Sequence, residues 1–393
     1  MPPAQAARPP VITVGGPGSF PWRVFHERHP VLLRQVLDGL PYGPAQRTAV
    51  QRLLEESTDG VVGPLEDGAP DAAAWDAWGL PGHLGERWTD LPFLWAEGYF
   101  YRRLLAAVGW FGPGPWQGVD PFGPVKAAEL GSAAVDGELA ALDGLARLDG
   151  ERRDDALLRS ALWGNRADLS FRLTPGGEGT AEDDGGLVHD DGARFRALLA
   201  AGPPGTVALL ADNAGRELLP DLVLLDHLLH TGRAASARLY VKPQPTFVSD
   251  ATTADVLAAA GRLLAAPGAA GSVGRRLRQA LTGGRLEIRT HPFLCAPLPF
   301  EAMPDDLRAE LAEAVVAVVK GDLNYRRLVG DRHWPATASF AGLTAHFPAP
   351  VAALRTLKSD VAAGLDPAVA HRLEAADPRW RTSGRHAVVQ VRP

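Results

Sequence analysis

Apolar residues in the first part of the chain recur at the spacing of an amphipathic helix. They stand three and four positions apart over 44–56 and 91–110, and an Ala- and Leu-rich stretch over 126–148 carries its charges on one side. Breaks rich in Pro and Gly separate these stretches. The pattern predicts three helices, which we assign to a helical N-terminal subdomain over residues 1–150.

From about residue 150 the pattern changes to short apolar runs that alternate with helical stretches. Six runs are predicted to be strands, over 206–211, 237–241, 285–289, 314–319, 352–357 and 386–391. Helices are predicted over 215–230, 253–265 and 271–281, and the Gly- and acid-rich segment 175–192 is predicted to be an exposed loop. This alternation is typical of a mostly parallel, doubly wound sheet with helices on both faces. We therefore expect an α/β fold, with an α/β/α sandwich over residues 151–393.

The composition excludes some classes of partner. The chain of 393 residues is 46% hydrophobic and carries a net charge of −6, which favours a small ligand over nucleic acid or a membrane surface. It contains no apolar run of membrane-spanning length and no signal-peptide pattern at its start. A single cysteine, Cys295, fits a reducing compartment. We expect a cytoplasmic protein, and these observations do not indicate its oligomeric state.

Lysine and asparagine are scarce, and their positions draw attention to particular segments. Counting along the sequence gives 4 lysines against 36 arginines, and 3 asparagines. These residues are Lys126, Lys242, Lys320, Lys358, Asn165, Asn213 and Asn324. Most of them lie in short polar segments, several of which follow predicted strands. Open parallel sheets bind ligands beyond that end of the strands, so these segments are candidates for a functional site.

Three oxygen-bearing side chains follow two neighbouring predicted strands. Asp212 and Asn213 come directly after the strand 206–211, and Asp250 follows the strand 237–241. A right-handed crossover would bring both strand ends to one edge, where the three side chains share one divalent ion. Two carboxylates and an amide suit Mg²⁺ or Mn²⁺ and leave positions open for water and substrate. The alternative is that Asp212 or Asn213 only caps the following helix.

Two further polar clusters follow the predicted strands 314–319 and 352–357. The first offers donors and acceptors to a polyhydroxylated, anionic ligand, and its alternative interpretation is a glycine turn into a solvated basic helix. Its candidate substrate-binding residues are Asp322, Leu323, Asn324, Tyr325 and Arg326. The second holds Arg355 and Lys358, which form either a phosphate clamp or a surface charge pair.

Two candidates lie outside these strand ends. Asn165 is at the end of a predicted helix that begins near residue 151, and it either stops that helix or lines a pocket. Glu97 shares a helix face with Tyr101, because the two residues are four positions apart. That face either packs against the rest of the protein or closes over the pocket.

Five strings in this order resemble the metal-dependent damage-control phosphatases. They are GNRADLS (164–170), LLADNAG (209–215), VKPQPTFVSD (241–250), KGDLNYRRLVGDRHWP (320–335) and RTLKSDVAAGL (355–365). The RTLK string is similar to the RTxK signature of the subfamily that contains the acidic-residue methyltransferase-like proteins. The segment 95–103, and Asp120-Pro121-Phe122 followed by Lys126, are similar to the helical part of that family. The resemblance therefore spans most of the chain.

The resemblance implies a helical portion packed on an α/β/α sandwich. It also implies a divalent metal at Asp212, Asn213 and Asp250, and a phosphorylated substrate bound by the string from Asp322 to Arg326 and by Lys358. The family is proposed to hydrolyse phosphometabolites, including sugar phosphates such as fructose 1-phosphate, that arise as damaging or excess by-products. The chain departs from the family pattern at Gly98 and Gln244, which bears on substrate choice more than on the metal site.

We accordingly expect hydrolysis of phosphomonoesters assisted by Mn²⁺, Mg²⁺, Co²⁺ or Ni²⁺, with Asp212, Asn213 and Asp250 as the catalytic set. The nucleophile is either a water activated by an aspartate or an aspartate that forms a phosphoryl intermediate. One alternative is an S-adenosylmethionine-dependent methyltransferase of acidic side chains, which requires a cofactor cradle where this chain reads Asp-Asn-Ala-Gly. Another is a sugar-phosphate-binding protein without catalysis.

Overall fold

Seven strands form one sheet in a computed structural model of the protein, which describes residues 8–164 and 186–393. They are β1 (Leu187–Asp190), β2 (Thr206–Leu210), β3 (Ser236–Val241), β4 (Leu286–Thr290), β5 (Ala314–Lys320), β6 (Val351–Thr356) and β7 (Ala387–Arg392). Their order across the sheet is β1-β7-β6-β5-β2-β3-β4. Strands β2 to β6 are mutually parallel, whereas β7 is antiparallel to β6 and parallel to β1. The predicted mostly parallel sheet is confirmed.

Alternation of side chains along the strands explains why both faces of this sheet are covered. In β2, Val207 and Leu209 belong to one apolar core, and Ala208 and Leu210 belong to the other. Successive side chains of a strand point to opposite faces, so an uninterrupted apolar run requires helices on both sides. The α/β/α arrangement follows directly from such runs.

The helices surround the sheet in chain order. They are α1 (Phe20–Arg23), α2 (His29–Gly39), α3 (Pro44–Asp59), α4 (Ala72–Ala77), α5 (Leu80–His83), α6 (Phe93–Val108), α7 (Gly123–Leu130), α8 (Ala133–Leu145), α9 (Gly150–Trp163), α10 (Gly192–Ala200), α11 (Leu218–His230), α12 (Thr253–Ala265), α13 (Gly268–Thr282), α14 (Asp305–Ala312), α15 (Gly321–Val329), α16 (Phe340–Leu343) and α17 (Pro367–Ala376). A π-helical turn over Val24–Arg28 joins α1 to α2, and short 3₁₀ turns lie at Trp88–Asp90, Pro292–Cys295 and Phe300–Ala302. No helix of the described residues has the length and hydropathy required to cross a membrane.

The helical N-terminal portion shares its core with one face of the sheet. Buried residues of α2, α3 and α6 belong to the same apolar cluster as Ala208 and Leu210 of β2. On the other face, α8 and α9 pack with α11, α12 and α13. The N-terminal residues thus contribute to both layers of helices, and the subdomain boundary at residue 150 stays a prediction.

Two elements differ from those that the sequence predicts. Residues Leu187–Asp190 form β1, although they lie in the predicted loop 175–192, most of which is outside the described residues. The predicted helix 126–148 is two helices. The first, α7, ends at Leu130 with Gly131 as its C-cap, and the Ser132 side chain accepts a hydrogen bond from the Val135 amide at the start of α8.

The strand order reverses between β2 and β5. From β2 the chain proceeds to β3 and β4 on one side, and it then returns to the opposite side of β2 to form β5 and β6. Such a switch point leaves a crevice at the carboxyl ends of the strands, because the following loops diverge. The segments after β2 and β5 contain Asp212 and Asp322.

Candidate active site

Backbone hydrogen bonds hold the segments after β2 and β3 side by side. Asn213 and Asp250 pair as an isolated antiparallel bridge. The Ala251 amide donates to the Asp212 carbonyl over 2.9 Å, and the Ala214 amide donates to the Ser249 carbonyl over 2.6 Å. Residues that are almost forty positions apart in the sequence are therefore neighbours, as the proposed shared site requires.

The Asn213 amide links this pair of segments through its side chain. Its Oδ1 accepts a hydrogen bond of 2.7 Å from the Ser249 hydroxyl, and its Nδ2 donates to Glu217 Oε2 over 2.8 Å and to Asp212 Oδ2 over 3.3 Å. Neither Asp212 nor Asn213 caps α11, which has no side-chain cap. The capping alternative is therefore wrong.

Asp212 is a buried carboxylate in a negatively charged environment. It is 6% exposed. Burial, followed by the charges of Glu217 and Asp250, raises the pKa of Asp212 well above its usual value, and Lys358 and Lys242 oppose that shift. Acids held together in this way are stabilised by an additional positive charge.

Asp250 is also buried, at 1% exposure, and it is fixed by the chain around it. Its Oδ2 accepts a hydrogen bond of 3.2 Å from the Phe247 amide and lies 3.7 Å from the Lys242 ammonium. Lys242 in turn donates to the Leu294 carbonyl. The carboxylate therefore has a defined orientation before any ligand binds.

The turn from β5 into α15 approaches Asp212 closely. Gly321 has a φ of +80°, and a Cβ built on it would lie 1.8 Å from Asp212 Oδ2. Only glycine fits, because any side chain would occupy the space of the carboxylate and would be strained in this left-handed conformation. The backbone of this turn thus forms one wall of the candidate site.

Asp322 connects the ends of β5 and β6. Its Oδ1 accepts hydrogen bonds from Arg355 Nε over 2.9 Å, from the Lys358 amide over 3.1 Å and from the Ser359 hydroxyl over 3.2 Å. Burial alone would raise the pKa of Asp322, but Arg355, Arg326 and these hydrogen bonds lower it below its usual value. Asp322 is therefore an anchored carboxylate, and its side chain is 16% exposed.

Several predicted substrate-binding residues make internal contacts instead. The Asn324 amide donates to the Ala211 and Lys320 carbonyls, both over 3.0 Å. The Tyr325 hydroxyl donates to Gln390 Oε1 over 2.7 Å. Both side chains are buried, so their contacts assign them to the support of the site. Leu323 lies beside them and is half-buried.

Arg355 and Lys358 lie in different environments, which corrects the expectation of a paired clamp. Arg355 is 1% exposed, stacks 4.3 Å above the Tyr325 ring and bonds Ser359 over 2.9 Å. It is therefore neither half of a surface charge pair nor a free phosphate ligand. Lys358 is exposed, and its charge lowers the pKa of Asp212.

Glu97 and Arg326 join the helical portion to the segment after α15. Arg326 donates to Glu97 over 2.9 Å and binds Asp331 in a fork of 2.8 and 2.9 Å. Burial raises the pKa of Glu97 against the opposing effect of Arg326. This network matches the packing interpretation of the Glu97 face. Asn165 lies outside the described residues.

Sequence reasoning did not assign roles to four contributors to this site, Lys126, Glu217, Lys242 and Gly321. Lys126 and Lys242 are two of the four lysines of the chain, so the scarcity of lysine could have drawn attention to them. Nothing in the spacing indicated their targets, which lie on other elements. Glu217 follows Asn213 by four residues in a non-helical turn, where helical periodicity does not apply.

The donor set fits a divalent cation that prefers oxygen. Within the described ranges no group of three or more His, Cys, Asp and Glu side chains is arranged to hold a metal ion. The candidate set that the sequence predicts is two carboxylates and an amide. The mutual repulsion of Asp212 and Asp250 and the wall formed at Gly321 both fit a small cation. Such a set suits Mg²⁺ or Mn²⁺ and not a thiolate-preferring ion.

The fold and the site together define an α/β/α protein with an acidic, all-oxygen cluster at the switch point of a parallel sheet. The family model of the damage-control phosphatase ARMT1-like domain matches residues 24–373. The chain belongs to this family, as the ordered motifs indicated.

Full-length relatives agree with this assignment. The damage-control phosphatase ARMT1 of Rattus norvegicus is 32% identical, with 98% of this chain and 99% of that protein covered. The protein of the same name from Danio rerio is 31% identical over 95% of this chain and 94% of its own length. The crystal structure of a DUF89 family protein from Pyrococcus horikoshii superposes with a TM-score of 0.50 at 14% identity, covering 95% of this chain and 98% of that one. This last likeness concerns the fold alone.

Proposed function

We propose that the protein is a metal-dependent phosphatase that hydrolyses phosphomonoesters of small metabolites in the cytoplasm. Sugar phosphates such as fructose 1-phosphate are the substrates that we favour. The observation that carries the proposal is the pairing of Asn213 with Asp250 beside the buried Asp212 at the switch point, with the charge of Lys358, which follows β6, acting on Asp212. This arrangement combines a site for a cation with a site for an anion.

Asp212, Asn213 and Asp250 would hold the metal ion. When bound, a divalent cation supplies a Lewis acid that neutralises the charge developing on a phosphoryl oxygen. Lys242 lies 3.7 Å from Asp250 and contributes to the orientation of that carboxylate. The protein thus contributes positioning and electrostatics, which phosphoryl transfer chiefly requires.

Lys358 is the side chain that we assign to the phosphate group. It is exposed, and its backbone amide is fixed by Asp322 over 3.1 Å. Arg355 donates a hydrogen bond to Asp322, and Asp322 in turn holds the Lys358 amide. Arg355 therefore acts on the phosphate only through the position of Lys358. Asp322 itself is partly exposed, which leaves it as the polar group of its segment that can bind sugar hydroxyls.

The test is release of inorganic phosphate from a panel of sugar phosphates with added Mn²⁺, Mg²⁺, Co²⁺ or Ni²⁺. Asp212→Ala should lower kcat/KM by about 100-fold or more, the range found when one stabilising group is removed from a transition state. Asp305→Ala, at an exposed aspartate outside the site, is the matched control and should retain full activity.

Three outcomes would argue against this function. Activity that survives EDTA, or that survives in Asp212→Ala, contradicts the metal site. Metal and sugar phosphate binding without phosphate release supports the non-catalytic alternative. Calorimetric binding of S-adenosylmethionine, followed by methyl transfer to acidic side chains, supports the methyltransferase.

A further inference from the structure

Lys126 connects the helical N-terminal portion to the segment that carries Asp250. It lies in α7, and its side chain is 6% exposed. The ammonium group donates to the Asp250 backbone carbonyl over 2.8 Å, to Asp120 Oδ2 over 2.9 Å and to Asp255 Oδ2 over 3.0 Å. An ammonium has three protons, so these acceptors satisfy it completely.

The partners of Lys126 are themselves fixed. Asp120 accepts a hydrogen bond of 2.8 Å from the Phe122 amide. Asp255 Oδ2 accepts hydrogen bonds from the Thr252 amide over 2.8 Å and from the Thr252 hydroxyl over 2.7 Å. The Thr252 side chain also accepts from the Asp255 amide, which completes the capping box of α12. Lys126 therefore joins three segments whose own geometry is defined locally.

The contact with the Asp250 carbonyl acts on the orientation of the carboxylate. Asp250 follows a short turn, and its Oδ2 accepts a hydrogen bond from the Phe247 amide. The amide of the next residue, Ala251, donates a hydrogen bond to the Asp212 carbonyl. Without Lys126 the Asp250 carbonyl would lose the hydrogen bond that this ammonium supplies, and the peptide would be held only by its Ala251 amide, which donates to the Asp212 carbonyl. A peptide fixed at one end only would orient the Asp250 carboxylate less firmly.

We propose that Lys126 is a positioning residue that sets the metal affinity of the site through the Asp250 peptide. This inference rests on the proposed function for the identity of the ligand. Lys126 contacts neither the metal ligands' side chains nor the substrate. Its effect is therefore on the binding of the cation and not on the chemistry that follows.

The experiment compares Mn²⁺ binding, measured by calorimetry, in the full-length wild type, Lys126→Met and Thr252→Val. Lys126→Met should raise the Mn²⁺ dissociation constant by about 10- to 100-fold, the usual cost of losing a group that orients a metal ligand. Thr252→Val is the matched control, because it weakens the same capping box but keeps the contact of Lys126 with Asp250. It should leave Mn²⁺ affinity unchanged.

Kinetics provide a second readout that a purely structural role would not produce. In Lys126→Met, kcat should return toward the wild-type value when Mn²⁺ is saturating, and KM for the sugar phosphate should not change. If Lys126→Met does not fold, Lys126→Gln is measured instead. Its uncharged amide keeps two N–H donors on a shorter side chain, so the Mn²⁺ dissociation constant should still rise, but by less than in Lys126→Met.

The result that would overturn the inference is a folded Lys126 variant with wild-type Mn²⁺ affinity. An equal loss of affinity in Thr252→Val would overturn it as well, since the effect would then come from the cap of α12. Failure of the wild type to bind Mn²⁺ at all would instead contradict the proposed function, so the two failures are distinguishable.

Discussion

His29 is a buried histidine whose ring nitrogens have no hydrogen-bond partner within residues 8–164 and 186–393. Its ring stacks on the Phe100 ring, with the ring centroids 3.7 Å apart and an angle of 8° between the ring planes. Burial, followed by the neighbouring charges of Arg28 and His26, lowers the pKa of His29 well below its usual value. The folded protein therefore keeps this ring neutral at pH values where the unfolded chain binds a proton.

His29→Phe should raise the free energy of unfolding by about 1–3 kcal/mol, because it removes unsatisfied polar atoms and keeps the stack on Phe100. The wild type should lose stability as the pH falls below about 6.5, where the unfolded chain binds the extra proton. The variant should show a shallower decline. Urea denaturation at a series of pH values measures both effects, and His371→Phe, at an exposed histidine, should show neither.

Lys358 is the only exposed lysine of the four in the chain, all of which lie in described residues. Lys358→Met should lower kcat/KM for sugar phosphates by about 100-fold, if its charge stabilises the transition state as we propose. Stability should change by no more than about 0.5 kcal/mol, as for other surface substitutions. Steady-state kinetics check the first expectation, and Arg385→Met provides a control at another exposed cation.

The turn between β5 and α15 is the element that shapes the wall of the site. Gly321→Ala combines strain at a φ of +80° with a clash against Asp212. We expect it to abolish Mn²⁺ binding and to cost more than about 2 kcal/mol of stability. Gly284→Ala is the matched control, because Gly284 has a φ of +72° and nothing within 4 Å of the added Cβ. A similar loss in both variants would show that backbone strain alone is responsible.

Regular elements of the sheet could be predicted because their apolar runs are long and bounded by turns. The predicted strand 314–319 differs from β5 by one residue, for example. Strand β1 was missed because it is four residues long, partly exposed, and paired with β7, which lies about 200 positions later. The pattern of apolar residues around β1 carries no information about a strand so distant in the sequence.

The candidate site was predicted to the extent that it follows from strand ends. Asp212, Asn213 and Asp250 are placed together by the parallel topology, which the sequence pattern indicates. The contact of Lys126 with the Asp250 carbonyl depends on how α7 packs against α12, and that packing is not encoded in any spacing. Burial of Tyr325 and Arg355 likewise depends on a layer of helices contributed by distant segments.

At the scale of the whole molecule, the helical portion and the sheet share buried surface. The cluster that contains Tyr99 and Phe100 of α6 also contains Val319 of β5. Buried Arg326 adds a charged link between Glu97 and Asp331. Removal of the helical portion would expose one face of the sheet to water and would remove α8 from the layer on the other face.

Residues 151–393 produced alone should therefore not fold, and the full chain should unfold in one calorimetric transition. The reason is that neither portion can bury its apolar surface without the other. Two separate transitions, or a folded fragment with the native circular dichroism, would instead show that the boundary at residue 150 separates independent units.

Strand β7 follows all the other described strands in the sequence and occupies an interior position in the sheet, between β6 and β1. Among the described strands, β1 has no neighbour other than β7. During synthesis on the ribosome, β1 therefore cannot pair with its neighbour until nearly two hundred further residues have been made. Until β7 has been synthesised, β6 has no partner on that side among the described strands, so the sheet keeps an open edge there.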